Sequence, residues 1–292
     1  MVVLVLGGSG QLGRCLRDQL VGTDFNVIFT SRSEIDLMAG SELHGKIAAI
    51  NPNVIVNAAA YTLVDQAEND FETANAVNNI AVSNLASICE SIDCWLLHVS
   101  TDYVFDGMSL TPYVESDLTN PLTVYGKTKL DGEKAIEASG CQFNIIRTSW
   151  VFSEYGTNFL KTMLKIGSER DDLSIVSDQF GSPTYCHDIA NVIRLMILEV
   201  QSKNMPSGIF HFAGDYSCSW YEFAQVIFSE ANKFERKIPT SISPISGDLF
   251  PTLAKRPLFS VLDCSKIAFQ LNIQPSCWRL GVTESLRKLT LI

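Results

Sequence analysis

Val2-Val3-Leu4-Val5-Leu6-Gly7-Gly8-Ser9-Gly10-Gln11-Leu12-Gly13 decides how the rest of the chain is read. Five apolar residues with β-branched members form a buried strand. Glycines then interrupt the run, and Leu12, Cys15, Leu16 and Leu20 fall on one face of a helix from Gln11 to Leu20. A G-x-x-G-x-x-G turn between strand and helix is a dinucleotide-binding arrangement. Glycine allows the tight turn and the close approach of backbone to a pyrophosphate, and the last glycine lets helix pack near strand. The apolar run is too short for a membrane span and lacks a basic leader, so it is not a signal peptide.

The pattern repeats outward from this unit. Apolar runs at Val27 to Phe29, Val54 to Val56, Trp95 to Val99 and Phe143 to Ile146 alternate with helical periodicity at Val77 to Cys89 and Val124 to Ala138. Short apolar strands alternating with helices predict a doubly wound, parallel Rossmann-type sheet covered on both faces. The expected division is residues 1–150 as the dinucleotide-binding domain, with part of 173–200 returning to it. Residues 151–292 should mainly form a smaller, discontinuous lobe, because Pro206 to Pro257 carries most of the later turn signals.

Composition narrows the function. The 292 residues are 46% hydrophobic and 18% charged, enough for a substantial core, with a formal net charge of −10. That balance argues against a nucleic-acid partner. No stretch is long enough to span a membrane, so no membrane partner is expected. Eight scattered cysteines without a C-x-x-C pair read as buried small residues in a reducing cytoplasm. Four scattered histidines lack metal-ligand spacing, so no metal is expected.

Thr30-Ser31-Arg32-Ser33 ends the second strand, where an acidic residue would hold the ribose hydroxyls of NAD. Arg32 can pair with a 2′-phosphate and the serines can hydrogen-bond it, which favours NADPH. Glu34 and Asp36 lie close by, and NADH stays open. Further along, Tyr125-Gly126-Lys127-Thr128-Lys129 places Tyr125 and Lys129 on one helical face. A phenol titrates near pH 10, and a neighbouring ammonium would bring it toward neutrality as a general acid. Thr101, at the end of the fourth strand, can orient a substrate oxygen toward Tyr125.

Taken together, these motifs resemble the short-chain dehydrogenase/reductase superfamily in its extended form. Asn57-Ala58-Ala59-Ala60-Tyr61-Thr62, Ser100-Thr101-Asp102-Tyr103-Val104-Phe105, Arg147-Thr148-Ser149-Trp150 and Asp178-Gln179-Phe180-Gly181-Ser182-Pro183-Thr184 are similar to the dTDP-4-dehydrorhamnose reductase family. That resemblance implies NADPH-dependent reduction of the C4 keto group of dTDP-6-deoxy-L-lyxo-4-hexulose, a nucleotide sugar bound by the C-terminal substrate lobe. It implies catalysis by Thr101, Tyr125 and Lys129, with Lys129 also holding the nicotinamide ribose. Cofactor contacts would come from Gly7, Gly10, Gln11, Leu12, Gly13, Ser31, Arg32, Asp36, Leu37, Ala58, Ala59 and Ala60, besides Tyr125 and Lys129. Asp102 and Tyr103 would reach the sugar, Trp150 would pack beside it, and Asn78 would either support a proton relay or serve packing.

Other readings remain beside this one. A reductase of another nucleotide 4-keto sugar needs nearly the same site. A 4,6-dehydratase is disfavoured, because Tyr103 stands where its glutamate would follow Asp102. A non-catalytic regulator like the β subunit of methionine adenosyltransferase shares Lys127-Thr128-Lys129-Leu130-Asp131-Gly132-Glu133. Monomer and homodimer both stay open. Some rhamnose-pathway reductases are dimers bridged by a metal on a first-helix carboxylate, but Arg14-Cys15 occupies that stretch here.

Overall fold

The computed structural model describes residues 1–291. The chain runs β1 (Val2–Leu6), α1 (Gln11–Leu20), β2 (Asn26–Thr30), α2 (Ser41–Ile50), β3 (Val54–Asn57), α3 (Val64–Ala67) and α4 (Phe71–Asn75). One π-helical turn, Ala76–Ile80, joins α4 to α5 (Ala81–Ser91). Then come β4 (Trp95–Thr101), α6 (Val124–Ala138), β5 (Phe143–Thr148), β6 (Val151–Phe152), α7 (Phe159–Glu169), β7 (Asp172–Val176), β8 (Phe180–Gly181) and β9 (Thr184–Tyr185). The chain closes with α8 (Cys186–Gln201), β10 (Gly208–His211), β11 (Cys218–Ser219), α9 (Trp220–Lys233), β12 (Ser241–Ile245), α10 (Ser265–Leu271) and α11 (Trp278–Thr290).

The main sheet is six-stranded and parallel throughout, in the order β2-β1-β3-β4-β5-β10. Alternation along each strand sends side chains to two buried faces. Val3, Val5, Val54, Val56, Leu97 and Ile146 pack against α1 and α8. Leu4, Leu6, Ile55, Leu96 and Ile145 pack against α2, α5 and α6. A parallel sheet covered on both sides reads as unbroken apolar runs for this reason. Strand order reverses between β1 and β3, so a crevice opens at their carboxyl ends, where ligands of such sheets bind.

A second core gathers Phe152, Leu160, Tyr185, Phe223, Ile227, Trp278 and Val282 from α7, α9, α11 and the short strands around them. The segment 173–200 splits between the two cores. The strand β7 pairs with β12 in the smaller lobe, while α8 lies beside α1 on the main sheet. Gly208–His211, inside the turn-rich Pro206 to Pro257 segment, supplies the sixth strand of the main sheet. Four residues are too few to carry a period, so the sequence pattern missed it. No helix among the described residues is long and apolar enough to cross a membrane.

Glycine sets how closely α6 approaches its neighbours. A Cβ on Gly126 would lie 2.1 Å from Tyr103 O, and one on Gly132 would lie 2.1 Å from Asn78 O in the π turn. Gly132→Ala is expected to destabilise the fold by about 1–3 kcal/mol through overpacking against backbone. Gly45→Ala, inside α2 with nothing near its added methyl, should stabilise by roughly 0.5–1 kcal/mol. Urea midpoints of the two variants, compared with the parent, decide the matter; equal shifts would contradict the packing account.

Candidate active site

The glycine turn is held by backbone packing. A Cβ on Gly13 would lie 2.2 Å from Gly7 O, and one on Gly7, at φ +79°, would lie 2.9 Å from Ala59 N. The turn therefore nests against Ala58 and Ala59, whose small side chains leave the crevice open. The first N–H groups of α1 have no helical partner. No side chain caps them, and no acidic residue stands in the first turn. Such an N-terminus fits an anionic pyrophosphate. Gln11 Oε1 accepts a 2.7 Å hydrogen bond from Asn158 Nδ2, tying the start of α1 to α7, which Asn158 caps.

At the end of β2 the donors are already engaged. Ser31 N–H and Ser31 Oγ both donate to Glu34 Oε2 at 2.7 Å, and the backbone bond foremost holds the Glu34 carboxyl below its usual range. Arg32, 72% exposed, pairs loosely with Asp36 at 3.5 Å. Leu37 is buried in the core beneath this corner.

The next layer of the site is built by α6. Thr123 accepts from Gly126 N at 3.0 Å and caps the helix. Because Gly126 rests on Tyr103 O, the first turn lands on the 3₁₀ turn Asp102–Val104, which Thr101 Oγ1 caps by accepting from Tyr103 N at 3.2 Å. Tyr125 consequently lies beside Thr101, whose hydroxyl acts to lower its phenol. It packs edge-on against Tyr103 at 5.7 Å. Burial drives the Tyr125 phenol upward, opposite to the expected ammonium effect. The reason is geometric: Lys129 Nζ lies 2.7 Å from Val99 O and 3.1 Å from His98 Nε2. Burial lowers Lys129 to about 8.

Asp102 is buried, and its Oδ1 accepts from Thr101 Oγ1 at 3.1 Å, whereas Oδ2 has no partner. Burial, opposed by the nearby Ser260 and Thr101 hydroxyls, pushes this carboxyl up to about 6. Tyr103 Oη accepts from Arg256 Nη1 at 3.3 Å, and Arg256 Nη2 pairs with Asp65 at 2.8 Å. Arg256 and Asp65 are 191 positions apart, and spacing could not have joined them. Trp150 adopts a positive φ of 46°. One face of its ring stacks on Trp220 at 3.4 Å, and Gly181 lies against the ring as well. It is a half-buried ring held on one face by Trp220. The Asn78 side chain is fully engaged: Oδ1 accepts from Tyr61 N, and Nδ2 donates to Tyr61 O and Thr128 Oγ1. These bonds tie the π turn to Tyr61 and to α6.

A separate group lies behind α1. Asp18, Glu154 and His187 bring ligand-type atoms within 4.8 Å of one another. Lys288 Nζ stands 2.9 Å from Glu154 Oε1 and 2.8 Å from His187 Nε2. Burial opposes ionisation of Glu154, but hydrogen bonds from His187 and Lys288 prevail and hold it at about 2. The four residues come from four separate segments, so histidine spacing gave no sign of them.

A parallel doubly wound sheet, a glycine turn at its reversal and a Thr101–Tyr125–Lys129 set at the end of β4 define an extended short-chain dehydrogenase/reductase. Within that class the chain belongs to the RmlD substrate binding domain family, whose model matches residues 1–291. It is 44% identical to dTDP-4-dehydrorhamnose reductase of Aggregatibacter actinomycetemcomitans, over 95% of each chain. Among solved structures it is similar to a dTDP-4-dehydrorhamnose reductase from Clostridium acetobutylicum, with TM-score 0.92, 36% identity and coverage of 99% of this chain and 100% of that one. The same enzyme from Bacillus anthracis, in complex with NADP, gives TM-score 0.91 at 33% identity over 98% and 99% of the two chains.

Asp102 carries a pH signature. Its folded value of about 6 exceeds the ordinary 3.8. Its contribution to stability is thus fully present below about pH 4 and is lost as pH rises through about 6. The loss should reach about 2–3 kcal/mol by pH 7.5. Between pH 5 and pH 7.5 about 1–1.5 kcal/mol of that loss falls, so the unfolding free energy from urea titration should drop by that much more in the parent than in Asp102→Asn. A variant with the parent's pH dependence would show that Asp102 is not the group responsible.

Proposed function

We propose that this chain uses NADPH to reduce the C4 keto group of dTDP-6-deoxy-L-lyxo-4-hexulose, giving dTDP-L-rhamnose. The observation that carries the reading is the half-buried Tyr125 phenol beside Thr101, at the mouth of the dinucleotide crevice, in a chain 44% identical to a dTDP-4-dehydrorhamnose reductase. NADPH, when bound, supplies the hydride. The residues of the chain do the rest. The uncapped start of α1 binds the pyrophosphate, and Ala58, Ala59 and Ala60 leave room for the dinucleotide.

Reduction requires a proton donor at the new alkoxide. Burial keeps Tyr125 protonated, which is the form a general acid needs. Thr101 aligns the keto oxygen with the phenol. Asp102, with one buried oxygen free of partners, accepts from a sugar hydroxyl, and Trp150 walls the sugar side. Lys129 serves the nicotinamide ribose and restores the proton to Tyr125. No metal is assigned to the Asp18–Glu154–His187 group, since Lys288 already provides its positive charge. Eight cysteines free of disulfides fit a cytoplasmic enzyme.

Tyr125→Phe removes one hydroxyl and keeps the ring, so kcat should fall by about 10²- to 10⁴-fold. NADPH affinity should stay near that of the parent. A folded, NADPH-binding variant that still turns over the nucleotide 4-keto sugar at the parental rate would remove Tyr125 from the mechanism.

Cofactor choice turns on the end of β2. Glu34 occupies the Ser31 donors that a 2′-phosphate would use, and Arg32, held only loosely by Asp36, can turn to meet that phosphate. Glu34→Gln should raise the ratio of kcat/KM for NADPH over NADH severalfold, and Arg32→Ala should lower it by a similar factor. That size matches the up to about 1 kcal/mol of an exposed ion pair. Unchanged ratios in both variants would place cofactor selection elsewhere.

A further inference from the structure

We propose that His98, its tautomer fixed by Asn57, is a positioning residue that holds Lys129 as the neutral amine in the cofactor-free protein. The argument is one of donors and acceptors. Asn57 Oδ1 accepts from Ala59 N–H at 3.1 Å, which fixes the amide orientation. Asn57 Nδ2 then faces His98 Nδ1 at 3.1 Å. Nδ2 can only donate, so Nδ1 carries no hydrogen. A neutral imidazole keeps one hydrogen, which is placed on Nε2. Nε2–H points at Lys129 Nζ, 3.1 Å away.

A nitrogen that receives this hydrogen bond needs a lone pair. An amine has one lone pair and two hydrogens. The lone pair takes Nε2–H, one hydrogen goes to Val99 O at 2.7 Å, and the second is left for the site. An ammonium would require Nδ1–H on His98, which collides with Asn57 Nδ2. Turning the amide would set Nδ2 against Ala59 N–H. Protonating Lys129 therefore breaks a hydrogen bond somewhere along Lys129–His98–Asn57–Ala59, and each loss is costly in a buried place. All three side chains qualify, since none exceeds 1% exposure.

The surroundings agree. Tyr125 and Glu133 share α6 with Lys129, and Arg147 on β5 pairs with Glu133. Glu133 is the nearby anion that would favour an ammonium. It is claimed by Arg147, whose Nη2 lies 2.7 Å from Oε2, and by a hydrogen bond from Ser100. Burial, opposed by Glu133, lowers Lys129 to about 8, and a donor on its lone pair acts in the same direction as burial.

The bearing on turnover rests on the reading of Lys129 as partner of Tyr125, but the protonation state can be read without turnover. Nitrogen-15 NMR of the cofactor-free protein should show His98 with a bare Nδ1 and a hydrogen on Nε2; a hydrogen on Nδ1 would overturn the proposal. Lys129 Nζ, assigned by its loss in Lys129→Met, should titrate clearly below about 8, the value that burial against Glu133 gives without a donor on the lone pair; a midpoint at or above that value would overturn the proposal. Asn57→Asp places an acceptor against Nδ1, reverses the tautomer and turns Nε2 into an acceptor. His98→Gln can present an oxygen to Nζ. Both should raise the Lys129 midpoint by about one unit or more, a tenfold change in protonation. Midpoints unmoved in both variants would defeat the proposal. So would an Asn57→Asp shift that persists undiminished in a His98→Leu background, since it would show a charge acting through space. If the midpoints move while the alkaline limb of kcat/KM stays put, the His98 proposal stands and the role of Lys129 at Tyr125 falls.

Discussion

Glu133 and Arg147 form the contact on which the site's geometry depends. Both side chains are almost wholly buried, and the guanidinium engages the carboxylate through Nε and Nη2 at 2.7–3.1 Å. Ser100 adds a third donor to the same carboxylate. The pair joins α6, β5 and β4 under the catalytic residues. Desolvation makes such a pair a poor source of net stability, yet removing one partner typically costs about 3–5 kcal/mol, because the other charge is left buried alone. Its value lies in placement: one turn of α6 above Glu133 stands Lys129, and one turn above that stands Tyr125. His211, pressed near Arg147 by burial and held at Tyr113 O, is lowered to about 3 and stays neutral. The guanidinium thus has no second charged neighbour to compete for it at that side.

The cofactor end follows a different logic. There the chain uses close approach of backbone instead of charge. Gly7, Gly13 and the alanines after β3 remove side-chain volume where three segments converge, and the dipole of α1 is left uncapped. One end of the crevice is rigid through an ion pair and the other through absent side chains. The two meet at His98 and Asn57, adjacent positions on neighbouring strands β4 and β3.

Much of this was legible in the sequence, for identifiable reasons. The first strand and α1 were fixed by an apolar run, glycine spacing and helical period, all local signals. The bounds of α6 were legible too, because Thr123 is a good cap and the periodicity beyond it is regular. Tyr125 and Thr101 were brought together as their positions on helix and strand suggested. The partnership of Lys129 with His98 was not visible, since an i, i+4 pattern says which face a side chain occupies and nothing about what lies under it. His98 looked like an isolated histidine. Arg256 with Asp65, and Lys288 with Glu154, His187 and Asp18, were hidden because long-range pairs leave no trace in local spacing. Trp150 was expected beside the sugar; that its ring is gripped by Trp220 and Gly181 depends on a positive φ that no tryptophan advertises.

The late arrival of β10 bears on how the chain emerges from a ribosome. Strand β5 ends at Thr148, but the strand that covers its outer edge begins only at Gly208. During synthesis of the intervening residues, the row of amide and carbonyl groups along β5 has no strand partner, and Ile145 and Ile146 stand beside that open edge. An uncovered edge of this kind is a template for pairing with another nascent chain. The helix α8, which packs with α1 over the same sheet, also precedes β10 in the chain. Completion of the nucleotide-binding half is therefore coupled to nearly three quarters of the chain having left the exit tunnel, and a chain cut near residue 150 would carry its most aggregation-prone surface exposed.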